Sequence, residues 1–311
     1  MTMEPRDSLR REPAAIDAGA TTRGNRRGTP VAARRSTRGT APATRGKPVV
    51  VKLGGRSLEA PGALREFASD LARLSRVTLL VHGGGAEVTA WSERLGLPAR
   101  FQDGLRVTDA ETLDVVTAVL AGLANKRLVA ELRAHGVDAV GLAALDGGIV
   151  TARPHADAAR LGAVGEIAAV DVTLLSTLLA MSRTPVLASV AATPAGERLN
   201  VNADDAASAL AAALGASDLV LLSDTPGVRL DGAIVRGIAA SELDATIARP
   251  DVVGGMVPKL RAAQATLAAG VARVHVAAWN GPGTLAALLA GEAGTTLFAH
   301  APAGAPEASH A

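Results

Sequence analysis

The run Val49-Val50-Val51-Lys52-Leu53-Gly54-Gly55 decides how the rest of the chain is read. Its apolar residues are contiguous rather than alternating, and two glycines end it. That pattern predicts a strand buried on both faces that stops abruptly. Strands of this kind belong to parallel sheets covered by helices on both sides. A second such run, Val77 to Val81, leads into His82-Gly83-Gly84-Gly85. Between the two, residues 60–74 carry Leu64, Phe67, Ala68 and Leu71 at helical spacing.

The alternation continues downstream. A helix is expected to about Leu95, and a short hairpin or loop over 99–108. A long helix then runs to about Ala134, with Thr108 as its cap and Glu111 three residues on. Further strands are predicted at Ala139–Ala144, Pro185–Val190, Leu219–Leu222 and Val274–Ala277. Helices are predicted over 172–181, 204–214 and 258–269. Strands alternating with helices give an α/β fold with a mainly parallel central sheet covered on both faces. Aromatic residues make up only 2% of the chain, so Ala, Val and Leu must build its core.

Outside this body the composition changes. Residues 1–47 hold ten Arg and one Lys against four acids, a net +7, while the whole chain carries +2; the remainder is therefore acidic, at −5. The extension has few large apolar residues and is expected to be disordered, as is the tail over 300–311. It reads as a nonfunctional extension ahead of a transit peptide, whose usual lack of acids it does not share, or a polyanion-binding arm. There is no cysteine, which excludes disulfides and thiolate chemistry. No apolar run approaches the roughly 20 residues of a membrane span.

Chemistry is expected where the strands end, because ligands of open α/β sheets bind outside the carboxyl ends. Lys52-Leu53-Gly54-Gly55 sets a cation beside two glycines. His82-Gly83-Gly84-Gly85 sets three glycines before a helix, whose amino end carries partial positive charge. Backbone N–H groups and a cation can converge there on an anion. His82 itself reads as a structural ring fixed by a local hydrogen bond. In Asp103-Gly104-Leu105-Arg106-Val107-Thr108-Asp109, Arg106 offers a planar fork suited to a carboxylate, although pairing with Asp109 or Glu111 explains it as well. Leu199-Asn200-Val201-Asn202-Ala203-Asp204-Asp205 supplies an Asn202 cap and more amide and carboxylate groups than a cap needs. Leu222-Ser223-Asp224-Thr225-Pro226-Gly227-Val228 suits the wall of a nucleotide site. Gly254-Gly255-Met256-Val257-Pro258-Lys259 puts a Lys in a first helical turn, which is easier to understand if an anion sits there. The P-loop, the dinucleotide fingerprint and the protein-kinase set are all absent.

In their order and spacing across about residues 48–299, these six segments resemble the amino-acid kinase family, and within it the acetylglutamate kinases. LAGLANK at 120–126 and GTTLF at 294–298 resemble it too. The resemblance implies a three-layer αβα sandwich. Its N-terminal lobe, about 48–190, would bind acetylglutamate, and its C-terminal lobe, about 191–299, ATP. The implied reaction is phosphorylation of the side-chain carboxylate of N-acetyl-L-glutamate to N-acetyl-L-glutamyl 5-phosphate, an early step of arginine biosynthesis, in the cytoplasm.

Residue by residue, the resemblance implies that Lys52 and Lys259 stabilise the transferring phosphoryl group and that Asp204 organises them. Gly84 and Gly85 would bind substrate, Arg106 its α-carboxylate, and Asn200 the region of the acetylated amine. Gly54, Gly55, Ser223, Asp224, Gly227, Val228 and Lys259 would bind nucleotide. Mg²⁺ would be held mainly by phosphates and water. The acceptor carboxylate, with an ordinary pKa of about 4.3, is already ionised at pH 7, so no general base is required. Expected partners are acetylglutamate, ATP and a second copy in a homodimer. Neither a membrane nor a nucleic acid is expected, and the extension lacks the apolar stripe of the helix that builds hexameric relatives. The alternative keeps the chemistry and changes the acyl group, to N-succinylglutamate or to carrier-protein-linked aminoadipate or glutamate. The segment 155–172 is expected to line the acyl pocket.

Overall fold

The computed structural model describes residues 46–54, 60 and 62–299, so most of the basic extension and the C-terminal tail lie outside the described residues. The chain begins with β1 (Val49–Leu53), α1 (Ala63–Arg73), β2 (Thr78–His82) and α2 (Gly85–Arg94). A hairpin of β3 (Phe101–Gln102) and β4 (Leu105–Arg106) precedes α3 (Ala110–Thr117), α4 (Asn125–Ala134) and β5 (Ala139–Ala143). Next come β6 (Val150–Pro154), α5 (Ala158–Leu161), β7 (Val164–Val170), α6 (Thr173–Ala180), β8 (Thr184–Ala188), β9 (Val190–Ala192) and β10 (Arg198–Val201). The last third holds α7 (Ala203–Ala213), β11 (Asp218–Leu222), and the small strands β12 (Arg229–Leu230), β13 (Ala233–Ile234) and β14 (Gly237–Ala239). It closes with α8 (Leu243–Ile247), α9 (Met256–Ala268), β15 (Arg273–Ala277), α10 (Thr284–Ala290) and β16 (Thr295–Phe298).

Eight strands form the central sheet in the order β14-β16-β15-β11-β1-β2-β8-β5. Every pairing in it is parallel except β15 with β16. As the contiguous run predicted, β1 is central and buried along its whole length. Its residues alternate between the two covering layers. Val49, Val51 and Leu53 pack with Phe67, Leu71, Leu128 and Leu132. Val50 packs on the other face with Leu210, Leu260 and Leu267, and Lys52 points to that same face. From β1 the sheet grows to β2 on one side and to β11 on the other. The helical layers therefore diverge at its carboxyl end, which opens the crevice of a topological switch point.

Three sequence expectations change. The strand predicted over Pro185–Val190 is two strands: β8 ends at Ala188, and β9 leaves the main sheet. With β6, β7 and β10 it forms a small closed barrel that the residue pattern did not reveal. The cap of α3 is Asp109, whose Oδ1 accepts from the Thr112 N–H at 2.9 Å. Thr108 does not cap: it is fully buried and donates its hydroxyl to the Arg106 carbonyl at 2.8 Å. Finally, the long helix is interrupted by a π-helical stretch, Ala118–Ala124, between α3 and α4.

Candidate active site

Lys52 is the last residue but one of β1, paired in register with Val81 of β2 and Leu221 of β11. Its ammonium lies 2.8 Å from Asp204 Oδ1. Asp204 sits in the first turn of α7, behind the Asn202 cap, whose Oδ1 accepts from the Asp204 N–H at 2.7 Å. The amino end of a helix favours a carboxylate there. Lys259, in the first turn of α9, reaches the other oxygen of Asp204 at 3.5 Å. The neighbouring Pro258 lacks an N–H, but a helix start leaves those groups unpaired anyway. One carboxylate thus bridges two lysines drawn from a strand and a remote helix. Burial pushes the Asp204 carboxyl up, but the two ammonium groups outweigh it and hold it below the usual carboxylate range.

Two clefts adjoin this cluster. One, of about 450 Å³, is lined by Lys52, Lys259, Ser223, Asp224, Gly227 and Arg229, among others. The other, of about 200 Å³, is lined by Gly84, Gly85, Arg106, Ser189, Asn200 and the α7 start at Asn202 and Ala203. The two lysines of the cluster line the larger cleft, and Asp204 directly follows Asn202 and Ala203 of the smaller one. No cluster of three acids or histidines suited to holding a metal exists among the described residues.

The glycine turns divide their work. Gly84 caps α2 at φ 155°, and a Cβ there would meet Leu120 at 2.8 Å, so only glycine fits. Gly85 opens α2, where N–H groups have no helical acceptor. Gly54 behaves otherwise: its N–H donates to the Leu222 carbonyl at 3.0 Å and is not available to a phosphate. What matters is its missing side chain, because a Cβ at Gly54 would collide with the Lys52 ammonium. Gly54 lines neither of the two clefts, and Gly55 lies outside the described residues.

Arg106 is buried, at 8% exposure. One guanidinium nitrogen donates to the Gly85 carbonyl at 2.8 Å and to Thr89 Oγ1 at 2.7 Å. The other, Nη1, is buried with no protein partner. Arg106 does not pair with Asp109, which is taken by Arg100 at 3.0 Å. Its guanidinium stands over the Phe101 ring at 4.7 Å. Burial lowers its proton affinity, yet a guanidinium keeps its charge at any physiological pH. A buried cation with an unpaired donor in a cleft is suited to a carboxylate.

His82 is structural in its contacts. Its Nδ1 meets the Gly83 carbonyl at 2.9 Å, and its Nε2 the Asn125 amide at 3.0 Å. Burial, the largest influence, lowers its pKa and keeps the ring neutral. Asn125 belongs to the LAGLANK stretch and also donates to the Val186 carbonyl at 2.9 Å, tying β2 and β8 beneath the glycine turn.

Val228 is wholly buried and does not line the larger cleft. Its N–H donates to Thr295 Oγ1 at 2.8 Å, and Thr295 donates to the Val235 carbonyl at 2.6 Å. Thr295 therefore holds the 223–228 loop from β16; its only sequence signal was the GTTLF motif. Arg229 and Asp251 also line the larger cleft, Asp251 without a motif to mark it. Of the segment 155–172, Val164 alone is among the residues lining the smaller cleft.

A family model described as the amino acid kinase family matches residues 47–278. An acetylglutamate kinase of Prochlorococcus marinus (strain MIT 9303) is 44% identical over 238 residues, covering 74% of this chain and 77% of its own. A chloroplastic acetylglutamate kinase of Arabidopsis thaliana is 44% identical over 234 residues, covering 73% of this chain and 67% of its own. Among solved structures, a Giardia carbamate kinase superposes with a TM-score of 0.63 over 83% of this chain and all of its own, at 16% identity, a likeness of fold alone.

Proposed function

The chain belongs to the amino acid kinase family, and from that premise we propose a division of labour for the ATP-dependent phosphorylation of N-acetylglutamate. The names of its relatives support the acetylated substrate over the succinylated or carrier-linked alternatives. The observation that carries the mechanism is the bridge of Asp204 to Lys52 and Lys259, at 2.8 and 3.5 Å, between two clefts.

The smaller cleft takes acetylglutamate. The unpaired Arg106 Nη1 receives the α-carboxylate, and Asn200 lies beside the acetamido group. The side-chain carboxylate then points toward Gly84, Gly85 and Lys52. The larger cleft takes ATP against the 223–229 loop and the start of α9. An ionised carboxylate attacking a γ-phosphate needs alignment and relief of anion–anion repulsion rather than a proton acceptor. Lys52 and Lys259 supply the positive charge, and Asp204 keeps them together until the phosphates arrive. Mg²⁺ would be held mainly by phosphate oxygens and water, where it would offset the charge of the phosphates.

This reading extends to a cytoplasmic homodimer; sedimentation as a hexamer would sink that part. No described helix is long and apolar enough to cross a membrane. The test of the activity is an ATP-dependent hydroxamate assay with acetylglutamate, succinylglutamate and glutamate side by side. The acetylated compound should dominate, and absence of turnover with it would overturn the proposal.

A further inference from the structure

Thr108 is fully buried and lines neither of the two clefts, yet it joins the backbone of Arg106 to the side chain of Asn200, the two residues assigned to the substrate's α-carbon. Its hydroxyl donates to the Arg106 carbonyl at 2.8 Å and lies 3.1 Å from Asn200 Nδ2. A hydroxyl carries one proton. With that proton committed to Arg106, Thr108 Oγ1 can only accept from Asn200, so the Asn200 NH₂ is held on the Thr108 side. The Asn200 amide oxygen is thereby left as the acceptor of a residue that lines the smaller cleft.

The support behind this arrangement is backbone. The Thr108 N–H donates to the Leu161 carbonyl at 2.8 Å, and the Thr108 carbonyl accepts from the Ala163 N–H at 2.6 Å. Gly162, at φ 70°, admits this approach only because it has no Cβ, which would strike the Thr108 carbonyl. The Asn200 N–H donates to the Ala163 carbonyl at 2.9 Å, so both residues hang from the same three-residue segment.

We propose that Thr108 is a positioning residue that fixes the polarity of Asn200, presenting an amide oxygen to the N–H of the substrate's acylated amine. This inference rests on the function assigned above. It predicts a preference for an amide over an isosteric ester at that position, because the ester has no proton to give.

The experiment compares acetylglutamate with 2-acetoxyglutarate, in which oxygen replaces the N–H, on wild type, Thr108→Val and Thr108→Ser. Wild type should favour the amide by about tenfold in kcat/KM, the worth of one hydrogen bond to a site group otherwise left unpaired. Thr108→Val keeps the shape and loses the acceptor. It should raise KM for acetylglutamate by about tenfold, leave KM for ATP unchanged, and bring the amide-to-ester ratio near one. Thr108→Ser should restore the ratio. If the valine variant does not fold, Thr108→Cys, with a weakly accepting sulfur, must show the same loss of ratio. A wild-type ratio retained in Thr108→Val or Thr108→Cys, or no rescue by serine, would overturn the inference and leave Thr108 a packing residue. A wild-type enzyme that turns over neither compound would overturn the assigned activity, and this inference with it.

Discussion

Replacing Asp204 with Asn removes one charge and leaves the shape of the bridge. At an effective dielectric constant of 20, charges 2.8 and 3.5 Å apart attract by about 6 and about 5 kcal/mol. Most of that is offset by the cost of removing three ions from water. The side chains of Lys52, Lys259 and Asp204 are only 10%, 15% and 23% exposed, so the offset is substantial and the pairs are not surface ion pairs. What Asp204→Asn creates is two ammonium groups facing each other without a counter-charge. Breaking a buried pair in this way costs about 3–5 kcal/mol, and the residual exposure of Asp204 argues for the lower end. At 2–4 °C per kcal/mol for a domain of this size, Tm of the ligand-free protein should fall by roughly 6–12 °C. A non-hydrolysable ATP analogue should reverse most of that loss, because its phosphates supply the missing negative charge. Analogue affinity should therefore be tighter, while kcat falls by about 100-fold because the lysines are no longer held in line. Calorimetry with and without the analogue, together with hydroxamate kinetics, reads all three quantities. A variant with wild-type Tm and kcat within threefold would refute the organising role of Asp204. Weaker analogue binding would refute the charge argument specifically.

Other perturbations separate the two clefts from the cluster. Arg106→Ala should raise KM for acetylglutamate by about 10–100-fold, the worth of charge-assisted hydrogen bonds, with KM for ATP unchanged in the same initial-rate experiments. Lys259→Ala should lower kcat by about 100-fold or more and change KM for acetylglutamate little, as expected for a cation aimed at transition-state charge. Gly54→Ala should lower kcat and not substrate affinity, because the new methyl group displaces the Lys52 ammonium; the check is a substrate KM that stays at the wild-type value. At the opposite end of the sheet, buried Asp218 accepts from Arg273 at 2.7 Å and meets His275 at 3.0 Å. Burial alone would raise its carboxyl, but these bonds and Ser217 pull it down to about 2. A carboxyl depressed in the fold stabilises fully above its ordinary pKa, near 4, and loses that contribution as pH falls toward 2. Asp218→Asn should cost about 2 kcal/mol at pH 7 and flatten denaturant midpoints between pH 4 and 2, where wild type should decline.

The glycine and lysine motifs were legible because each is local. A buried strand ending on glycines announces both its layer and its open end, so the central place of β1 and the positions of Lys52 and Gly84 follow from a few adjacent residues. The barrel was not legible for the opposite reason. Two of its strands have only three or four residues, and their pairing joins segments such as Val164–Val170 and Arg198–Val201 that carry no shared pattern. Thr108 imitates a cap because its spacing to Glu111 matches a capping box, while Asp109 offers a carboxylate one residue later. At Gly54 the residue pattern suggests a free N–H for a phosphate, but that N–H donates to Leu222, and the space the glycine leaves belongs to Lys52. Such exchanges depend on what a neighbouring strand brings, which adjacent residues do not disclose.

The Asp204 bridge shows why the centre of the site is the least local part of it. Lys52 comes from a central strand and cannot move far, since its neighbours on both sides are paired in register. Lys259 occupies the first turn of α9, where the helix dipole opposes a cation, so its position costs free energy in an empty site. The first turn of α7 favours an anion, and Asp204 sits there, within reach of both ammonium groups. The unfavourable placement of one cation is thus offset by the favourable placement of one carboxylate on a different helix. A transferring phosphoryl group is a second anion entering the same field, and it relieves the remaining excess of positive charge that Asp204 alone, with one charge against two, leaves behind. On the proposed function, the excess of one positive charge within this three-residue cluster is what a phosphoryl group would meet, and the bridge keeps the two lysines close enough for one group to meet both.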